Sequence, residues 1–131
     1  NNKNKIIFTG AISNVENIIK IMDIGVLMTN SETHGEGISN VILEFMAMGK
    51  PVIASKGGGT SEIIDINKSG FLINPGDIED LKSHINILLK DKKLSIRMGL
   101  HGKGIIETKF NYTRMIENFI SVYKSELKIS N

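Results

Sequence analysis

Short apolar runs alternate along the chain with longer stretches whose apolar residues recur at helical spacing, and glycine, proline or capping residues mark most of the changes. Lys5 to Thr9 predicts a strand ending at Gly10, and Val15 to Met22 a helix with Val15, Ile18, Ile19 and Met22 on one face. Ile24 to Thr29 predicts a second strand, so continuously apolar that both faces should be covered. A helix from Asn40 to Met48 should stop at Gly49, and Pro51 should open a strand over Val52 to Ser55. The turn Gly57-Gly58-Gly59 leads into a short helix through Ile64, and Phe71 to Ile73 predicts a fourth strand. Asp77 is placed to cap a helix through Leu89. Another helix is expected from Lys92 to Thr108, with Gly99, Gly102 and Gly104 within it counting against that assignment. Asn111 should cap the last, Tyr112 to Leu127, with Met115, Ile116, Phe119, Ile120 and Tyr123 in one stripe.

Strands alternating with helices predict an α/β fold, a Rossmann-like parallel sheet flanked by helices. At 131 residues the expectation is one domain, residues 1–131, without repeat or linker. Because a strand opens almost at residue 1, the chain is read as the tail of something longer. A net charge of +2, from 16 basic and 14 acidic side chains, offers nothing to attract nucleic acid. No run approaches the roughly 20 apolar residues of a membrane span. Cysteine is absent, which excludes disulfide and thiolate chemistry and fits a cytoplasmic location. His34-Gly35-Glu36 matches the H-x-E half of a zinc deaminase signature, but its C-x-x-C half has no cysteines to build it. His34, His84 and His101 lack metal-ligand spacing, and no metal site is expected.

The chemistry concentrates between Glu36 and Glu44. Glu44 is the only charge in the apolar run Val41 to Met48, and a carboxylate there needs donors or positive charge to meet it. Lys50 or Lys56 is one answer; a hydroxyl-rich ligand is the other. Ser39 is the expected N-cap of the helix, whose first-turn N–H groups lack intrahelical partners and suit a phosphate. Asn40 and Glu44 stand one turn apart on one face, and an ionised Glu44 offers two acceptor oxygens to a ribose diol. Glu36, with Gly35 and Gly37 beside it, could then meet hydroxyls beyond the phosphates. The spacing suggests a single extended ligand. Read alone, Glu36 is a solvated loop charge and the triple glycine merely a turn.

In register these motifs resemble the carboxyl-terminal domain of retaining glycosyltransferases of the GT-B fold, family 4. The resemblance rests on E-G-x-x-N-V-x-L-E-x-M-A from Glu36 to Ala47, on Gly49-Lys50-Pro51-Val52-Ile53-Ala54, on Gly58-Gly59-Thr60-Ser61-Glu62-Ile63 and on Ser69 to Asp77. It implies a nucleotide-diphosphate sugar (UDP-, GDP- or ADP-sugar) as donor, no cofactor and no metal. Glu36 is the expected catalytic residue, contacting hydroxyls of the transferred sugar. Gly37, Ile38 and Ser39 would hold the sugar and distal phosphate through backbone N–H groups, Asn40 and Val41 the diphosphate, and Glu44 the ribose. Gly10 and Ile12 would border the base. The donor phosphate would take the acceptor's proton. The family's Arg and Lys that neutralise the diphosphate precede the matching region, as does the amino-terminal domain that meets a glycan or lipid-linked acceptor. The expectation is therefore a donor-binding half, inactive alone, whose last helix crosses to that other domain. The full enzyme would work in the cytoplasm or at the inner face of the membrane; abundant isoleucine, lysine and asparagine suggest a bacterial polysaccharide pathway. A non-catalytic nucleotide-binding domain and a nucleotide-sugar epimerase of the same fold are the alternatives.

Overall fold

The computed structural model describes residues 6–29 and 37–127. A parallel three-stranded sheet, ordered β1 (Gly25–Leu27), β2 (Val52–Ser55), β3 (Gly70–Ile73), lies at its centre. Gly25 stands opposite Val52, and the second ladder runs from Val52 with Gly70 to Ser55 with Ile73. Parallel neighbours cannot be joined by a tight turn, so each link carries a helix. α1 (Val15–Ile21) precedes β1, α2 (Asn40–Ala47) joins β1 to β2, and α3 (Thr60–Ile63) joins β2 to β3. Three helices follow: α4 (Ile78–Lys90), α5 (Lys92–Lys109) and α6 (Tyr112–Glu126). The expected α/β architecture is present.

Strand alternation divides the core. Val52 and Ala54 of β2 join Ile19, Ile42, Phe45, Met46, Ile63 and Ile64 on one face. Ile53 turns to the other, with Phe71, Ile73, Leu88 and Met98. Every residue of β2 is buried, as a strand covered on both faces requires. α5 closes both layers: Leu94 and Met98 meet the second cluster, Ile105 and Ile106 the first. Gly99 is what lets it approach. Gly99 lies against the carbonyl of Gly49, where a Cβ would collide with that oxygen. Gly49 itself ends the run of α2 with φ +69°. Asp77, Asp91 and Asn111 cap α4, α5 and α6, each side chain accepting from the N–H three residues on.

Two expectations need correction. Ile6 to Gly10 form no strand, and Phe8 is 94% exposed. Apolar, β-branched residues permit a strand, but a ladder partner makes one, and none of the described strands pairs with this run. Second, β1 is three residues long and lies at the sheet edge, so Val26 keeps 38% of its surface exposed rather than being covered on both faces. Ser39 is the N-cap of α2 as expected, with extended backbone, although its hydroxyl makes no capping bond. The helix expected from Lys92 is present and runs unbroken to Lys109 despite its glycines. The apolar stripe of α6 is exposed along its length, Phe119 by 57%.

Candidate functional site

The site is built where the carboxyl ends of β1 and β2 meet the start of α2. Beyond β1 the chain is secured by a hydroxyl clasp. Ser55, 2% exposed at the end of β2, donates from Oγ to the Thr29 carbonyl at 2.9 Å. The same Oγ accepts from the Thr29 N–H at 2.8 Å, and the two hydroxyl oxygens lie 3.1 Å apart. A buried serine so engaged has its polar needs met by one residue. Glu36, the expected catalytic residue, lies outside the described residues, as do Gly35 and His34.

The chain continues at Gly37, Ile38 and Ser39 into α2. Here the glycine turn contributes: the Gly59 N–H donates to the Gly37 carbonyl at 3.2 Å. Gly59 has φ −77°, which any residue adopts, so its requirement for glycine is one of space. A Cβ there would lie 2.8 Å from Ile38 Cγ1, 3.1 Å from the Ile38 nitrogen and 3.2 Å from the Gly37 carbonyl carbon. Among the described residues nothing accepts from the N–H groups of Ile38, Ser39, Asn40, Val41 and Ile42. Ile38, Asn40 and Val41 are exposed and Ser39 is half-buried, so the donors from Ile38 to Val41 stand at an accessible helix start carrying the positive end of the dipole, while Ile42 is buried.

Glu44 follows Asn40 by one turn and is half-buried. No described residue offers its carboxylate a hydrogen bond or an ion pair. Both lysines that could have neutralised it are engaged elsewhere, Lys50 Nζ with the Lys20 carbonyl at 2.8 Å and Lys56 Nζ with Asn74 Oδ1 at 3.2 Å. The sequence reading that pairs Glu44 with a lysine is thereby overturned. Gly10, with φ +61°, and Ile12 sit in the exposed segment ahead of α1 and make no hydrogen bond to the start of α2. Clusters of His, Asp and Glu able to hold a metal ion are lacking among the described residues.

Two parts of this arrangement escaped the sequence. Ser55 reads there as the last residue of a strand, and Gly59 as one glycine of a turn. A serine ending an otherwise apolar strand was the only available signal for the clasp. Nothing local marked Gly59, because its partner is more than twenty positions away.

Among the described residues, two carboxyls have their acidity altered by the fold, and both lie away from this site. The Lys92 ammonium, hydrogen-bonded at 2.8 Å, lowers the Asp23 pKa. Asp65 is lowered chiefly by its hydrogen bond with His101 at 3.1 Å, then by Lys68.

Comparison with known proteins gives this geometry its context. The profile of the family described as glycosyl transferases group 1 matches residues 1–104. Over 126 residues the chain is 27% identical to N-acetyl-alpha-D-glucosaminyl L-malate synthase of Bacillus anthracis, covering 96% of this chain and 32% of that protein. It is 32% identical over 98 residues to the capsular polysaccharide biosynthesis glycosyltransferase CapM of Staphylococcus aureus, covering 75% of this chain and 26% of the relative. Among solved structures, Anabaena Alr3699/HepE in complex with UDP-glucose superposes with a TM-score of 0.85 at 25% identity, over 94% of this chain and 33% of that one. The C-terminal domain of the group 1 glycosyl transferase LpcC from Francisella tularensis gives 0.69 at 28% identity, over 82% and 53%. The chain thus spans about a third or less of the length of these curated relatives.

Proposed function

This chain belongs to the family of glycosyl transferases group 1, and on that premise we propose that it forms the donor-binding domain of a retaining GT-B enzyme of family 4. The donor is a nucleotide-diphosphate sugar; the acceptor, a glycan or lipid-linked chain, is met through another domain of the full enzyme. The observation that carries the reading is Glu44, a half-buried carboxylate, one turn from an accessible row of N–H groups, all without a partner among the described residues.

From Asn40 to Glu44 the helix rises about 6 Å. A diphosphate over the N–H groups of Ile38 to Val41 therefore leaves its ribose within reach of Glu44, whose two oxygens accept from the diol. The transferred sugar then falls toward Glu36, and Gly10 and Ile12 border the base. Catalysis in this reading is positioning and charge stabilisation. The helix start offsets negative charge that builds on the leaving diphosphate as the sugar–oxygen bond breaks. A phosphate oxygen of the donor takes the acceptor proton, so the protein supplies no base. Among the named structures, HepE was solved with UDP-glucose, which supports a nucleotide sugar.

Calorimetry with UDP, GDP, ADP and their glucose conjugates tests this. Glu44→Gln should weaken the preferred nucleoside diphosphate by about 1.5–3 kcal/mol, the worth of a charge-assisted hydrogen bond. Glu36→Gln should chiefly reduce discrimination between sugars. Identical affinity of Glu44→Gln and parent for every nucleotide defeats the proposal, as does an absence of binding by the parent.

A further inference from the structure

We infer that Gly59, in the turn after β2, is a positioning residue for diphosphate: it orients the peptide between Gly37 and Ile38 so that the Ile38 N–H faces the ligand. The inference rests on the function proposed above and adds a residue outside the helix start itself.

A trans peptide directs its C=O and its N–H to opposite sides. The Gly37 carbonyl is held toward the turn by the Gly59 N–H at 3.2 Å. The Ile38 N–H, on the far side of the same plane, therefore points away from the turn. It has no acceptor among the described residues and adds one donor to those of the first turn of α2. Flipping this peptide would aim a carbonyl oxygen at the phosphates in place of an N–H, exchanging attraction for repulsion. The closeness of the contact resists such a flip. At φ −77° alanine would suit the backbone of residue 59, yet its Cβ would press on the Ile38 nitrogen at 3.1 Å and the Gly37 carbonyl carbon at 3.2 Å. Those neighbours are main-chain atoms without rotamers to escape into. Glycine is thus required for what lies opposite it.

The test compares each nucleoside diphosphate with its own nucleoside (UDP with uridine, GDP with guanosine, ADP with adenosine) by NMR titration of the parent and of Gly59→Ala. Diphosphate affinity is expected to fall roughly 3- to 10-fold, the worth of one hydrogen bond, with nucleoside affinity unchanged and the Ile38 amide no longer shifting on ligand addition. Replacing Gly59 by glycolic acid exchanges the N–H for an ester oxygen without adding a Cβ, and is expected to reproduce the loss if the alanine variant does not fold. Equal weakening of nucleoside and diphosphate would mean a merely structural role and overturn the inference. So would unchanged diphosphate binding by either variant. A parent that binds no nucleotide removes the underlying function as well, an outcome distinct from a binding parent with indifferent variants.

Discussion

At the residue scale, glycine has opposite values at neighbouring positions of one helix. Gly99 faces the Gly49 carbonyl, whereas a Cβ at Gly104 would meet nothing within 4 Å. Gly99→Ala must push α5 away from α2 and should cost about 1–3 kcal/mol, the usual penalty for overpacking. Gly104→Ala relieves the helix of a flexible residue and should add about 0.5–1 kcal/mol. Thermal unfolding should therefore move down for the first and up by a few degrees for the second; two shifts of the same sign would contradict the packing described. The sequence showed both glycines and ranked neither, because what distinguishes them is a carbonyl fifty residues earlier. Glu44 was easier to read. A lone charge in an apolar run announces itself, and the structure left it without a described partner.

At the element scale, boundaries were legible wherever the signal was local. Capping by Asp77 and Asn111 and termination at Gly49 follow from side chains or φ values within a few residues of the helix end. Pairing is not local, and there the reading failed: Ile6 to Phe8 have strand composition but no ladder, and β1 is shorter and barer than its apolar run suggests. Ser39 sits at the cap without using its hydroxyl, which composition alone could not tell. The Ser55 clasp is the non-local feature with the clearest energetic consequence. Ser55→Ala strands the Thr29 N–H and carbonyl beside a buried strand end and should cost about 1–3 kcal/mol in denaturant unfolding. Ser55→Thr, which keeps the hydroxyl, should recover part of it. A loss below about 0.5 kcal/mol for the alanine variant would show that water serves Thr29 as well.

At the scale of the whole molecule, α5 is tied to the sheet connections by two exposed carboxylates. Asp23 reaches it through Lys92, and Asp65 through His101. Both folded pKa values lie below the ordinary 3.8. Their stabilisation is therefore present above that value and lost as pH falls through the lowered ones. Plots of Tm against pH should have a shallower acid limb for the Asp23→Asn, Asp65→Asn double variant than for the parent. Parallel limbs would show that solvent and salt screen both pairs completely. The fold class was legible at this scale because alternating strands and helices leave few topologies open.

The clasp and the glycine contact share an origin in the five positions Ser55 to Gly59, which grip Thr29 on one side and Gly37 on the other. A graft of the connection between β1 and α2 from a relative would arrive without the anchors that shape it. Chimeras built on this chain should transplant both stretches together, since Thr29 and Gly37 are held by Ser55 and Gly59.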